Sequence, residues 1–307
     1  MRVAIIGTGA MGSVYAGLMG AAGIDVWAID TWEAHIDAIR ASGLRVSGAS
    51  GDKIVKLQAS QTVSDAAPID LAIIGTKASG VEAAARAVKP VLAKDGIVLT
   101  IQNGVGSADK VAAIVGPDRL MVGVVGGFGA SIPKPGHAHH NGWEFVRLGE
   151  YAGGMTARLE QVGKVWERAG FRVLLFPDIH RMVWEKLICN IAYSGPCTLT
   201  GLTIGEVIES ADAFRITAGC ATEAFEMAKA QNIAVQIDEP VKYVRDFGLK
   251  IPGARPSMLL DHMAKRRSEI DVINGAIPPL GDRFGIDTPF NDVVVSLVKG
   301  KETAFEN

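Results

Sequence analysis

The first half of the chain alternates short apolar runs with segments in which apolar residues recur at helical spacing. The runs are Arg2-Val3-Ala4-Ile5-Ile6, Asp25-Val26-Trp27-Ala28-Ile29, Asp70-Leu71-Ala72-Ile73-Ile74, Ile97-Val98-Leu99-Thr100-Ile101 and Leu120-Met121-Val122-Gly123-Val124-Val125. Continuous apolar runs of this length read as strands buried on both faces, and their alternation with helices predicts a largely parallel, helix-covered sheet. Helices are expected at 80–88, ahead of Pro90, and at 108–114, ahead of Gly116-Pro117. Segment 43–57 is glycine-rich and alternating, which predicts a small hairpin. Within 128–150, prolines and glycines punctuate extended pieces, and Trp143-Glu144-Phe145-Val146-Arg147-Leu148 alternates like a half-buried strand. A helix at 156–169 and a strand at 172–176 complete this part.

Strand patterns stop at Pro177-Asp178, and helical periodicity takes over. Helices are expected at 179–192, 211–231, 239–247, 257–265, 268–284 and 291–299. The expected fold class is α/β: a Rossmann-type, largely parallel sheet in an N-terminal dinucleotide-binding domain, 1–177, followed by an all-α domain for substrate and dimerisation, 178–307.

A length of 307 residues allows each domain a core of its own. The net charge of −2 gives no electrostatic reason to expect nucleic acid or an anionic membrane as partner. Cys189, Cys197 and Cys220 are odd in number, lack CxxC spacing and lie among apolar residues, so they read as reduced core thiols. The chain opens on Met1-Arg2 and a strand without the pattern of a signal peptide, and no apolar run reaches the roughly 20 residues of a membrane-spanning helix. A cytoplasmic location is expected.

The first strand flows into Gly7-Thr8-Gly9-Ala10-Met11-Gly12 and then into an alanine-rich helix. In that setting the first glycine makes the turn, the second lets a pyrophosphate approach the backbone, and the third lets the helix pack on the strand. Glycines also serve as plain turn residues, so the strand before and the helix after decide for a dinucleotide site. Asp30 closes the second strand, where an acidic residue accepts hydrogen bonds from the ribose hydroxyls.

Further chemistry lies past the boundary. Lys186 and Asn190 stand four apart on one helical face, where a lysine donates a proton to a carbonyl oxygen and an amide orients its neighbour. Spacing alone favours a solvated surface pair; the position next to a nucleotide domain favours a ligand. Ser257 and Ser268 read locally as N-caps, Glu269 as a first-turn carboxylate, and Arg266-Arg267 as a solvated basic face. Thr76-Lys77 and Gln102-Asn103-Gly104 follow the C-terminal ends of parallel strands, the edge where such sheets bind ligands, although Asn103-Gly104 equally reads as a turn pair. His137, His139 and His140 read as loop histidines, for want of a matching carboxylate or thiolate pattern. His180 is undecided, and Trp166, Trp184 and Phe225 read as core.

Taken in order, these residues resemble the ketopantoate reductase family over nearly the whole chain: Gly7 to Gly12, Lys77, Gln102-Asn103-Gly104, Lys186 with Asn190, Ser257-Met258-Leu259, Glu269-Ile270-Asp271 and Ile273-Asn274-Gly275-Ala276. The resemblance implies a two-domain enzyme that reduces a 2-keto acid with a nicotinamide cofactor bound in the cleft between domains. It implies Lys186 as general acid, Asn190 and Asn103 as substrate contacts, Ser257 as ligand of the substrate carboxylate, Glu269 as organiser of cofactor and active site, and Lys77 near the cofactor. It replaces the bland readings of Lys186, Ser257 and Glu269.

Departures from the family's pattern matter for substrate and cofactor. Ser194 and Ala254 stand where many members carry asparagines, which leaves fewer amides for the substrate's polar end, and Arg255 offers a bidentate grip on a carboxylate instead. Ketopantoate leads, with another branched or larger 2-keto acid as the alternative. No arginine or lysine follows Asp30 until Arg40, so NAD(H) is expected in preference to NADP(H), whose 2′-phosphate the aspartate repels. Rival expectations are a β-hydroxyacid dehydrogenase, which also places a lysine and an asparagine four apart, and a catalytically silent NAD-binding sensor. A homodimer is the default assembly.

Overall fold

Val3, Ala4 and Ile5 have no exposed surface in the computed structural model, which describes residues 1–126, 129–142 and 145–305. A strand covered on both faces needs helices above and below its sheet, and the chain supplies them. The chain forms two compact units, one of Met1–Gln102 with Ser107–Ile179, the other of Asn103–Gly106 with His180–Asn307. The four residues 103–106, which sequence places with the sheet, pack with the helical unit.

The first unit contains β1 (Arg2–Ile6), α1 (Ala10–Ala21), β2 (Asp25–Ile29), α2 (Glu33–Ser42), β3 (Leu44–Gly48), β4 (Lys53–Val55), β5 (Gln58–Ser60), β6 (Ile69–Ile74), α3 (Val81–Val88), β7 (Leu92–Thr100), α4 (Ser107–Val115), β8 (Leu120–Val125), β9 (Gly129–Lys134), β10 (His137–Gly142), β11 (Phe145–Glu150), α5 (Ala157–Arg168) and β12 (Arg172–Leu175). Eight strands form one sheet in the order β12-β11-β8-β7-β6-β1-β2-β5, parallel throughout except where β11 meets β8. The register sets Ile5 between Ala28 and Ile73, so β1 lies inside the sheet and its C-terminal end opens between two neighbours. Beneath α1, Tyr15, Trp166 and Phe171 pack edge to face, and Trp166 is fully buried, as a core residue should be.

A second sheet runs β4-β3-β10-β9. The hairpin expected at 43–57 is the antiparallel pair of β3 and β4. The three histidines read as loop residues are instead on β10, because parallel pairing with β3 recruits them into the sheet. Their alternation then follows the strand: the Ser47 hydroxyl bonds to both His137 and His139, while Ala138 and His140 are buried. Of the alternating run 143–148, Trp143 and Glu144 lie outside the described residues, and the rest is β11.

Among its described residues the second unit has no strand. It contains α6 (Ile179–Thr200), α7 (Ile204–Glu209), α8 (Ala211–Ala230), α9 (Pro240–Gly248), α10 (Ser257–Met263), α11 (Ile277–Phe284) and α12 (Pro289–Glu302). Three helices differ from expectation, one of them α7, which has no counterpart in the expected set. α6 continues past 192 and through Pro196, whose missing N–H interrupts the ladder, and nearby carbonyls find side-chain donors: Ile191 from Asn274, Ser194 from Thr198, Pro196 from Thr200. Segment 268–284 is not one helix. Pro278 and Pro279 cannot donate within a helix interior, so α11 starts at Ile277 with prolines in its first turn, and two single 3₁₀ turns, Ile270–Val272 and Asn274–Ala276, precede it.

Buried polar groups hold this unit together. The Glu223 carboxylate accepts from the Phe290 and Asn291 backbone N–H groups and from the Asn291 side chain, at 2.7, 2.9 and 2.7 Å, and so caps the start of α12. The three cysteines are buried and unpaired, and burial pushes the thiols of Cys189 and Cys197 up to about 12. No described helix is long and apolar enough to cross a membrane. Replacing Glu223 by alanine strands three donors away from water, and urea denaturation should show a loss of about 3 kcal/mol; a loss within error of zero would show that α12 needs no such cap.

Candidate active site

The turn after β1 is strapped to the end of β2, because the N–H groups of Gly7 and Thr8 both donate to the Ile29 carbonyl, at 2.8 and 3.2 Å. Gly7 has φ +94°, and a Cβ on it would lie 2.6 Å from the Thr76 nitrogen. A Cβ on Gly12 would lie 2.0 Å from the Gly7 oxygen, so α1 leaves the strand at an angle that glycine alone permits. A Cβ on Gly9, by contrast, would meet nothing within 4 Å. That open side is at the N-terminus of α1, which has no side-chain cap and no acidic residue in its first turn. Thr8 Oγ1 and Thr76 Oγ1 are buried there without a hydrogen-bond partner among the described residues. An uncapped helix start, an open glycine and two unused hydroxyls fit the pyrophosphate of a dinucleotide.

Asp30 follows β2 directly, and one of its oxygens accepts the Trp32 N–H at 2.9 Å. A carboxylate has room for further donors, such as ribose hydroxyls. Lys77 is exposed just past β6, at the same edge of the sheet. Gln102, to which sequence reasoning assigns no role, joins two strand ends at this edge. Its amide donates to the carbonyls of Ile74 and Thr76, at 2.6 and 3.1 Å, and accepts from the Thr100 hydroxyl. The only sequence signal for it is its place at the end of β7.

Within the second unit, Lys186 Nζ donates to Asn103 Oδ1 at 2.9 Å. The two residues are 83 positions apart, so the bond is a tertiary contact built by folding. Asn103–Gly106 is also held from another side. The Val105 N–H donates to the Val272 carbonyl at 3.3 Å, and Gly104, at φ +85°, lies so close to that carbonyl that a Cβ would be 2.1 Å away. Val272 in turn donates its N–H to the Glu269 carbonyl, closing the turn that Glu269 begins. The structure therefore brings Asn103, Lys186 and the Glu269 turn together. Asn190 lies one turn beyond Lys186 on α6, half-buried like it, while Trp184, Leu187, Ile188 and Ile191 fill the core side of that helix.

Ser257 and Arg255 lie elsewhere in this unit, both exposed. Ser257 is the first residue of α10 and not its cap; Pro256 takes that place, with no side-chain bond. Arg255 is near enough to Glu206 for its charge to act there, after the Thr203 amide and hydroxyl, in holding that carboxyl below the usual glutamate range.

The segment from Ser257 to Glu269 is tied down by a residue that sequence reasoning does not single out. Oε1 of Glu302, at the end of α12, accepts from the Ser268 N–H at 2.8 Å, the Ser268 hydroxyl at 2.6 Å and His262 Nε2 at 3.0 Å. Ser268 is thus a donor to α12 and not an N-cap. Between the two anchors, Lys265 adopts φ +53°, the left-handed residue that closes α10, with the Arg266 N–H donating back to the Asp261 carbonyl at 2.8 Å. Burial pushes the Glu302 carboxyl up, but the Ser268 hydroxyl, the Ser268 amide and His262 outweigh it and hold the group below its ordinary range.

Residues 3–153 match the family model described as ketopantoate reductase PanE/ApbA, and residues 178–302 match the model of the ketopantoate reductase PanE/ApbA C-terminal region. A protein of Archaeoglobus fulgidus named 2-dehydropantoate 2-reductase is 30% identical over 98% of both chains. The crystal structure of a PanE/ApbA family ketopantoate reductase from Ralstonia eutropha superposes with a TM-score of 0.90, at 31% identity over the whole of both chains. A ternary structure of D-mandelate dehydrogenase with NADH and anilino(oxo)acetate gives the same TM-score at 27% identity, covering 100% of this chain and 99% of that one.

Because the folded Glu302 carboxyl titrates below its unfolded counterpart, its contribution to stability is complete above the ordinary glutamate pKa of about 4.3 and is lost as pH falls through the lowered value. Glu302→Gln should therefore be less stable than wild type at pH 7, with the gap closing as pH falls below about 4 in thermal melts. A gap that stays constant from pH 7 to acid would refute the assignment of that linkage to Glu302.

Proposed function

We propose, from the premise that the chain belongs to the ketopantoate reductase family, that this oxidoreductase reduces a 2-keto acid to the 2-hydroxy acid with Lys186 as proton donor. The observation that carries the reading is the 2.9 Å bond from Lys186 to Asn103, which fixes an ammonium group and an amide in one place. A reduced nicotinamide supplies the hydride when the dinucleotide is bound.

Lys186 holds a proton at Nζ, directed by Asn103. As hydride adds to the keto carbon, the C=O π pair moves to oxygen, and that oxygen takes the proton from Nζ; lysine is then reprotonated from water. An ammonium is a weak acid in water, so the transfer becomes favourable only as negative charge develops on the oxygen. Asn103 and Asn190 hold the polar groups beside the reacting carbon. Ser257 and Arg255 bind the substrate carboxylate, Arg255 taking over from an amide that Ala254 lacks. Glu269 orders the turn against which Asn103–Gly106 is seated.

Ketopantoate or another branched or larger 2-keto acid is the substrate class; the anilino(oxo)acetate held by the mandelate dehydrogenase relative supports an oxo acid with a bulky substituent. With ketopantoate as substrate, the reaction belongs to pantothenate biosynthesis. Gly7 and Thr8 form the turn, strapped to the Ile29 carbonyl, that aims the N–H groups of Gly9, Ala10, Met11 and Gly12 at the phosphates; Lys77 lies near the cofactor, and Asp30 binds the ribose. Asp30 selects NAD(H) over NADP(H), since a carboxylate in that place repels a 2′-phosphate. The dinucleotide domain spans 1–177 and the substrate domain 178–307, in a cytoplasmic homodimer.

A spectrophotometric panel of 2-keto acids, each run with NADH and NADPH, should give turnover with at least one branched substrate and a kcat/KM for NADPH at least about tenfold lower. Equal or better use of NADPH would overturn the role of Asp30, and tight NADH binding without turnover would favour a silent sensor. Lys186→Ala should lose about 100-fold or more in kcat while its NADH affinity stays within about threefold of wild type; undiminished turnover would remove Lys186 from the chemistry.

A further inference from the structure

His35, in the first turn of α2, has no exposed surface and is bonded at both ring nitrogens. The Gly136 N–H, from the turn between β9 and β10, donates to Nδ1 at 3.1 Å, and Nε2 lies 3.0 Å from the Ser13 hydroxyl of α1. Ser13 in turn donates to the Thr8 carbonyl at 2.7 Å. These partners fix the protons. A backbone N–H can only donate, so Nδ1 carries a lone pair. The single Ser13 hydrogen is directed at Thr8, so toward the ring Ser13 accepts, and Nε2 must carry the hydrogen. His35 is therefore a neutral imidazole at the head of a directional chain, from Nε2–H to Ser13 and from Ser13–H to the carbonyl of the second residue in the glycine turn.

The direction matters for what the turn binds. A carbonyl oxygen facing a pyrophosphate repels it, whereas peptide N–H groups attract it. Ser13 draws the Thr8 carbonyl toward a site where both residues are wholly buried. We propose that His35 is a positioning residue of the dinucleotide site, which holds the Thr8 carbonyl inward through Ser13 and releases it when acid protonates Nδ1 against the Gly136 N–H. The proposal rests on the reading of the glycine turn as a dinucleotide seat and extends it to how the seat is held and when it fails.

Other groups around His35 agree with a neutral ring. Burial lowers its pKa, and the charge of Asp30 opposes that shift without cancelling it. α1 brings no charged side chain, its one titratable group being Tyr15. α2 itself carries Glu33, Asp37 and Arg40, the β9–β10 side Lys134, His137, His139 and His140, and β3 Arg45. The Trp32 ring stacks on His35 with centroids 5.0 Å apart and planes 15° off parallel, while the Trp32 N–H bonds to Asp30. The residue placed at the ribose and the turn placed at the phosphates are thereby mechanically joined. With the folded pKa below the ordinary histidine value of about 6.5, the chain of bonds is intact above that value and is lost as pH falls through the lowered one.

The test is calorimetric binding of ADP-ribose, which needs neither nicotinamide nor substrate, from pH 8 to pH 5. Wild type should bind about fivefold or more weakly at the acid end. His35→Gln keeps a donor near the Nε2 position but cannot titrate, so it should bind more weakly than wild type at pH 8, more tightly than His35→Leu, and with less than about twofold change across the range. Ser13→Ala, which leaves α2 untouched and guards against misfolding of the histidine variants, should likewise be weaker and flat. Nitrogen NMR of the wild-type imidazole should show the Nε2–H tautomer at pH 7.5. Variants that keep the wild-type pH slope, or an Nδ1–H tautomer, would overturn the role of His35. Failure of wild type to bind ADP-ribose at any pH would instead remove the dinucleotide seat, and the proposal with it.

Discussion

The fold turns on the closeness of two glycines. α1 can leave β1 as it does only because Gly12 presents no side chain to the Gly7 carbonyl, where a Cβ would be 2.0 Å away. That contact brings the helix N-terminus over an interior strand of an eight-stranded sheet and leaves its first N–H groups without a side-chain cap. The sheet is largely parallel, so its strand ends gather at one edge, and Asp30, Lys77 and Gln102 all follow strands that finish there. The uncapped helix start, the Asp30 carboxylate and the Gln102 clasp thus share one edge of the sheet.

The helical unit organises its residues by other means. Two buried carboxylates, each satisfied by several donors, fasten its last helix. Glu223 fastens the start of α12 and Glu302 fastens its end, the second of these to Ser268 and His262. A buried carboxylate left unpaired is costly, so each acts as a strict geometric constraint on the segments it joins. The constraint at Glu302 falls on His262 and Ser268, between Ser257 and Glu269 in the chain. The loop 103–106 completes the arrangement by packing with this unit, where Lys186 and Val272 hold it.

What could be read from sequence follows the range of the interactions. Gly7 to Gly12 is legible because its strand, turn and helix are contiguous, and the four-residue spacing of Lys186 and Asn190 is legible because helical geometry fixes it. The parallel sheet was expected from the alternation of runs, and it is observed. The histidines of β10 were misread because their pairing partner, β3, is about 90 residues away and a His-rich segment carries no strand signal of its own. The break in 268–284 was available in Pro278-Pro279 and was overridden by periodicity. His35, Gln102 and Glu302 were invisible: apart from Thr100 beside Gln102, their partners are 22 and 101, 28 and 26, and 40 and 34 positions distant, and each residue read alone is an ordinary polar one.

The central claim is that a hydride reaches carbon 2 of a keto acid at a site where Lys186 delivers the proton. Its most direct measurement uses NADH carrying deuterium in the transferred position, with the product examined by mass spectrometry and proton NMR. The account predicts a 2-hydroxy acid with a single deuterium on carbon 2. Deuterium on carbon 3 of a 3-hydroxy acid, or no transfer to any keto acid by a protein that binds NADH, would contradict it.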